Sequence, residues 1–212
     1  MVVINEYEMV ENVYNKISEH FNYTRSYKWC WVKDFIKNYS KEHILYDIGC
    51  GTGRNITNNN SEKNENHPYC IGLDNCKNFI DICNSKGLSV CLGDMLNIPF
   101  NNNSGDAVIS IASFHHLSTE KRRVKCLNEL KRIVKPSGKI LLSVWSIKQP
   151  KKTRREFEYG DVVVPWNNKG IIYNRYYYIF RVEELTKLFK LAGLYVEKHF
   201  WDCGNEVFIL HK

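Results

Sequence analysis

Three carboxylates stand at or near the ends of three short apolar runs. Asp47 lies in "LYDIGCGTGRN" (45–55), Asp74 closes "CIGLD" (70–74), and Asp94 closes "SVCLGD" (89–94) with Met95 directly after it. Glycines at positions 49, 51 and 53 let a backbone turn sharply at the end of a strand and come close to a ligand. A carboxylate about twenty residues further on, at the end of the next strand, can accept both ribose hydroxyl protons of a nucleoside cofactor. An acid beside a methionine suits an adenine, whose amino group donates a hydrogen bond while its faces want apolar packing. The spacing of a nicotinamide-binding loop, G-x-G-x-x-G, is absent, because Arg54 occupies the position after Gly53 and no helix clearly starts there.

A second set of residues could serve an acceptor. His115 and His116 are adjacent in "ISIASFHHLS" (109–118). A zinc site normally needs three or four ligands, and neighbouring side chains of an extended segment point apart, so metal is not expected. Arg25, Arg175 and Arg181 are candidate anchors, since guanidinium groups match carboxylates and phosphates. Trp166 with Tyr176, Tyr177 and Tyr178 could stack on splayed bases, although strand alternation sends at least one tyrosine into the core.

These residues need a scaffold, and the pattern of the chain supplies one. Apolar or β-branched runs at 43–49, 70–74, 89–94, 106–113 and 139–146 read as parallel strands buried on both faces. Helical periodicity covers 8–22, about 29–39, 119–135 and about 182–192, with Ser118 or Thr119 as cap of the third and Gly193 closing the last. Alternating strand and helix predicts a doubly wound α/β sheet with right-handed crossovers. "YVEKHFWD" and "EVFILHK", joined by Cys203-Gly204-Asn205, predict a terminal hairpin. The segment 147–181 is expected to be an irregular insertion on the substrate side, residues 1–40 to be helices over the site, and the asparagine-rich stretch 57–67 to be a surface loop.

With 212 residues and 43% hydrophobic composition the chain can bury one substantial core, so a single domain over 1–212 is expected. No apolar stretch approaches the length that spans a bilayer, and the first residues carry acids where a signal peptide would carry bases, so a soluble intracellular protein is expected. Eight scattered cysteines without a C-x-x-C pair read as reduced thiols used as small hydrophobes. The net charge of +7 is concentrated at 121–125 and in "KQPKKTRR" (148–155); it suits a polyanionic partner such as RNA, and equally a solvated helix face followed by a basic loop.

D-I-G-C-G-T-G with Asp74 and G-D-M-L (93–96) resembles the motifs of class I S-adenosylmethionine-dependent methyltransferases. Three more stretches, "VYNKISEHFNYTRSYKW" (13–29), "DVVVPW" (161–166) and "YNRYYYIFRVEEL" (173–185), together with S-I-A-S-F-H-H-L-S-T-E-K-R-R, resemble the eukaryotic tRNA methyltransferases that esterify 5-carboxymethyluridine at the wobble position. The resemblance covers nearly the whole chain, apart from the asparagine-rich loop and a short connection between DVVVPW and YNRYYYIF where relatives often carry a longer basic insert. It implies a Rossmann-like fold with a seven-stranded, mostly parallel sheet whose terminal hairpin inserts one antiparallel strand. It also implies S-adenosylmethionine as cofactor, bound by Asp47, Gly49, Gly51, Asp74, Asp94, Met95 and Ile111. The acceptor would be the anticodon loop of a tRNA, met by Arg175, Tyr177, Arg181 and Trp166, with His116 and Arg25 holding the acceptor carboxylate; His115, independently of the resemblance, is expected to pack or hydrogen-bond under the loop. The family's partner is a small zinc-binding activator, expected along the edge strand 88–94, and its compartment is the cytoplasm, with the nucleus as a second location.

The chemistry agrees with that assignment. A carboxylic acid with an ordinary pKa near ~4 is already ionised at neutral pH and attacks a sulfonium methyl without a general base, so orientation is what the site must provide. A small-molecule methyltransferase and a non-catalytic binding module of the same fold are the rival readings. The acids at 47, 74 and 94 oppose the module, and the basic clusters with the aromatic segment favour RNA over a metabolite.

Overall fold

A computed structural model describes residues 4–24, 27–57, 66–153 and 155–212; Arg25 and most of the asparagine-rich stretch lie outside the described residues. The chain runs α1 (Asn12–Thr24), α2 (Cys30–Ile36), β1 (Ile44–Ile48), β2 (Tyr69–Asp74), α3 (Lys77–Ser85), β3 (Val90–Leu92), β4 (Gly105–Ile111), α4 (Glu120–Ile133), β5 (Val134–Trp145), β6 (Gly160–Asn168), β7 (Ile171–Ile179), α5 (Val182–Leu191), β8 (Tyr195–Asp202) and β9 (Asn205–His211). A π-helical turn, Tyr7–Glu11, leads into α1. No helix among the described residues is long and apolar enough to cross a membrane.

Seven strands form one sheet in the order β3-β2-β1-β4-β5-β9-β8. All neighbours are parallel up to β5, and β9 alone runs against both of its neighbours. The continuous apolar runs are explained by burial on both faces. Along β5, Ile140, Leu142 and Val144 pack toward Leu127, Leu130 and Leu188 of α4 and α5, whereas Leu141 turns to the other layer with Val32, Phe35 and Ile36 of α2. The terminal hairpin turns through Cys203 (φ 44) and Gly204 (φ 86), the two left-handed residues of a turn whose twist matches that of paired strands. Thr119, not Ser118, caps α4, its hydroxyl accepting from the Arg122 N–H at 3.3 Å.

The segment 147–181 is more regular than its sequence indicates. β6 and β7 pair along their whole length as a separate two-stranded sheet, with Pro165 opposite Asn174. A two-stranded sheet has only edge strands, so a proline that donates nothing is tolerated there. The short connection noted in the sequence is a tight turn through Lys169 (φ 53) and Gly170 (φ 90). α1 lies between this hairpin and α3, Phe21 meeting Trp166 on one side and Phe79 on the other.

Candidate active site

The glycine-rich turn after β1 needs its glycines for two different reasons. Gly49 has φ +77, and a Cβ there would come within 2.4 Å of Ser113, so glycine lets the turn pack against the segment after β4. Gly51 has φ +55, and a Cβ would meet only Phe21 at 4.0 Å, so glycine leaves open space above the backbone. That space is the floor of a cavity of about 770 Å³ whose wall includes Gly49, Gly51, Asp74, Asp94, Met95 and Ile111. Asp74 shapes the turn itself, accepting the Gly51 N–H at 2.8 Å and the Cys76 N–H at 2.9 Å, while Asp94 accepts the Leu96 N–H at 2.9 Å. Acids at the ends of β2 and just past β3, a glycine floor and a thioether side chain fit the ribose and adenine of S-adenosylmethionine.

Toward β5 and β7 the same cavity is walled by Trp145, His115, His116, Arg175 and Tyr177, and α1 contributes Tyr14. Hydrogen bonds join four of these into a directed chain. Arg175 Nη1 donates to the Tyr177 hydroxyl at 2.7 Å, the two tyrosine hydroxyls meet at 2.9 Å, and Tyr14 stands 3.2 Å from His116 Nε2. His116 Nδ1 lies 2.7 Å from the Tyr176 carbonyl. A carbonyl only accepts, so Nδ1 carries the proton. Burial first, with the nearby Arg175 charge, pushes the His116 ring down to about 4 against the pull of that carbonyl, so the ring is neutral at pH 7 and Nε2 accepts from Tyr14. Tyr177 then donates to Tyr14. Each hydroxyl in the chain has one partner for its proton and one for a lone pair.

His115 is in the opposite tautomer. The Trp145 N–H donates to its Nδ1 at 3.0 Å, which leaves the proton on Nε2. Burial foremost, then His116, with Arg175 also contributing, pushes this ring well below the usual histidine range, against the pull of the Ala112 backbone.

These positions agree unevenly with the expectations. The cavity brings together Gly49, Gly51, Asp74, Asp94, Met95, Ile111, His116, Arg175 and Tyr177, but not Asp47, Trp166 or Arg181. Trp166 lies behind Arg175, whose guanidinium sits 4.7 Å from its ring, and its indole N–H donates to His20 Nδ1 at 3.1 Å. Arg181 precedes α5 and sits 4.2 Å over the Tyr159 ring. Both Tyr176 and Tyr177 are buried. Two arginines of the basic cluster 121–125 have internal partners. Arg122 pairs with Glu6 at 2.9 Å, and buried Arg123 bonds the Leu117 carbonyl at 2.9 Å with its guanidinium 3.5 Å over the Tyr178 ring. Among the described residues no cluster of three or more potential metal ligands exists.

Comparison with known proteins adds the family. Residues 46–142 match the model of a methyltransferase domain. A tRNA (carboxymethyluridine(34)-5-O)-methyltransferase of Schizosaccharomyces pombe is 35% identical over 97% of this chain and 96% of its own. The chain belongs to that methyltransferase family. It also matches a Bos taurus protein named "Probable tRNA methyltransferase 9B" at 35% identity over 76% of this chain, and spans only about a third (34%) of that relative's length. Among solved structures, a Haloferax volcanii methyltransferase in complex with the Trm112 methyltransferase activator superposes with a TM-score of 0.69 over 95% of this chain and 96% of its own, at 16% identity, a likeness of fold.

Within the family's first motif, Asp47 is fully buried, and neither of its oxygens has a hydrogen-bond partner among the described residues. Burial pushes its carboxyl from 3.8 up to about 7, with Arg54 and Asn55 opposing and Asp74 adding to the rise. Because the folded value is the higher one, the folded chain holds more protons than the unfolded chain between these values. Stability therefore falls as pH rises through roughly 4 to 7 and stays lowered above. Asp47→Asn is expected to stabilise the cofactor-free protein at pH 8 by up to a few (~2–4) kcal/mol and to change it little at pH 4. Urea unfolding at both pH values checks this, and equal effects at the two would contradict it. Asp74, pushed up to about 6 by burial against its backbone donors, gives a slope of the same sign over a narrower range.

The sequence did not single out Tyr14, Glu6 and Asn15. Tyr14 lay beside the apolar stripe of the first helix and gave no sign that its hydroxyl faces a histidine. Glu6 accepts from the Ser118 N–H and hydroxyl at 2.6 Å each and from Arg122 Nε at 3.0 Å, and Asn15 accepts the Asn78 N–H at 3.1 Å. These contacts tie the N-terminal segment across the cavity.

Proposed function

We propose that this chain transfers a methyl group from S-adenosylmethionine to the carboxylate of 5-carboxymethyluridine at position 34 of a tRNA, giving the methyl ester. The observation that carries the reading is the single cavity in which the glycine and acid wall is continuous with a buried arginine, Arg175, that has no carboxylate partner among the described residues. The names of the S. pombe relative and its kin supply the substrate.

When bound, S-adenosylmethionine supplies an electrophilic methyl group on a sulfonium. Asp74 would accept from the ribose, Asp94 and Met95 would receive the adenine, and Gly51 would leave room for the cofactor to approach the backbone. With the cofactor bound, the acceptor carboxylate would take the methyl group and the electron pair of the S–C bond would stay on sulfur. No proton is lost, so the protein need only hold the carboxylate in line. Tyr177 stacked on Trp145 at 4.1 Å and Arg155, 5.1 Å over Trp145, border the acceptor end, where Arg155 can meet a phosphate and the rings can meet a base.

Incubation with labelled S-adenosylmethionine and bulk tRNA, then nucleoside analysis, is expected to yield an alkali-labile ester of 5-carboxymethyluridine. Label only in small metabolites, or none in RNA, would overturn the reading. The activator reading also continues. β3 lies at one end of the sheet with Leu92 exposed, and an apolar edge without proline invites pairing by another chain. A small zinc-binding activator is proposed there, with the cytoplasm as the compartment. Replacing Leu92 with Lys should abolish co-purification with such an activator, and unchanged co-purification would exclude this edge.

A further inference from the structure

We propose that His115 and Arg175, two neighbours of Tyr177, form the clamp for the acceptor carboxylate, with His115 donating from Nε2 and Arg175 from its guanidinium. This rests on the methyltransferase reading above and assigns the acceptor contact within it. The observation is that both residues line the cavity, that both are buried, and that each retains a donor with no partner among the described residues: His115 Nε2 and Arg175 Nε. Buried donors are nearly always paired, so two orphans from separate segments on one cavity wall point to a ligand that accepts from both.

The neighbouring groups define that ligand's chemistry. The Trp145 N–H occupies His115 Nδ1, so Nε2 can only donate; the Ala112 backbone pulls on the ring, yet Nε2 itself has no partner in hydrogen-bonding geometry among the described residues. Arg175 adds a full positive charge, packed on Trp166 at 4.7 Å and fixed through Nη1 to the Tyr177 hydroxyl. Two donors and a full positive charge select an anion. A planar carboxylate accepts at both oxygens from two such donors and keeps a lone pair for attack. His116 cannot share the task, because its Nδ1 proton goes to the Tyr176 carbonyl and its Nε2 accepts from Tyr14.

The test compares binding of two anticodon stem-loop RNAs to the full chain in the presence of S-adenosylhomocysteine. One carries 5-carboxymethyluridine, and the other the uncharged 5-carbamoylmethyl amide. The unsubstituted protein should prefer the acid at least about tenfold, equal to about 1.4 kcal/mol. His115→Asn keeps an acceptor for the Trp145 N–H and removes only the Nε2 donor; Arg175→Gln keeps a donor for Tyr177 and removes the charge. Each should cut the preference to about threefold or less while S-adenosylhomocysteine affinity stays within about twofold. If either variant loses affinity for S-adenosylhomocysteine, His115→Gln or Arg175→Lys replaces it. Each of these keeps one part of the clamp and should retain an intermediate preference. Variants that bind S-adenosylhomocysteine normally and keep the full preference would overturn the clamp alone. Lack of preference by the unsubstituted protein would overturn the clamp too, whereas failure of the carboxymethyluridine stem-loop to accept label from S-adenosylmethionine would overturn the methyltransferase reading on which it rests.

Discussion

His116→Ala is expected to lower turnover on carboxymethyluridine-containing tRNA about a hundredfold while changing S-adenosylmethionine affinity by no more than about twofold. The reason is positional. His116 accepts from Tyr14 and donates to the Tyr176 carbonyl, so it holds one end of the chain that orients Tyr177 and, through it, Arg175. Alanine leaves the Tyr14 hydroxyl without its acceptor and removes the bridge from Tyr14 to the Tyr176 carbonyl of β7. His116→Asn, whose amide can still reach the Tyr176 carbonyl, should restore part of the rate, which a purely structural role would not require. Tyr14→Phe breaks the same chain one link earlier. Because residues in one network are not additive, the double variant should be no slower than the slower single. The turnover assay with the four variants and a calorimetric titration of the cofactor checks this. A near-normal rate for His116→Ala under saturating tRNA would show that the chain does not position the acceptor. The activity should also lack a rise through about pH 6.5, the mark of an obligatory histidine base, since the ring is pushed down to about 4 mainly by burial.

Asp74→Ala should weaken S-adenosylmethionine binding at least tenfold, about 1.4 kcal/mol or more. Two losses combine. The ribose hydroxyls lose a charged acceptor in a partly buried site, and the Gly51 and Cys76 N–H groups lose the oxygens that hold the glycine turn and the start of α3. Asp74→Asn separates them. Its amide keeps one acceptor for the turn, so the fold should survive better than the affinity. Because the folded carboxyl ionises at about 6, affinity in the unsubstituted protein should also fall below that pH as the acceptor is protonated. Calorimetry at pH 5 and 8 reads both effects, and undiminished binding by Asp74→Ala would place the cofactor elsewhere.

Some of this was legible in the chain alone because the signals are local. Asp74 and Asp94 could be placed from the apolar runs before them, since strand ends follow from runs buried on both faces, whereas the strand order came from the family resemblance. The Cys203-Gly204 turn was legible because a two-residue hairpin turn demands left-handed backbone, and glycine is the residue that adopts it most easily. Gly49 and Gly51 marked the ligand-facing turn for a similar reason. The β6–β7 pair was harder to read, because Pro165 argues against a strand unless it lies at an edge, and both strands of a two-stranded sheet are edges.

What the acceptor end does was decided by tertiary structure. His115 and His116 are adjacent and alike in sequence, and only their partners tell them apart: Trp145, thirty residues away, takes Nδ1 of one, and Tyr14 and Tyr176, more than a hundred and sixty positions apart in the chain, take both nitrogens of the other. The same holds for Arg122 and Arg123, which read as a basic patch and are internally paired with Glu6 and stacked on Tyr178. Residue type sets what a side chain can donate, accept or carry as charge. Which of those capacities remains for a substrate depends on what the fold places within about 3 Å of it, and that is a property of long-range contacts that no local pattern encodes.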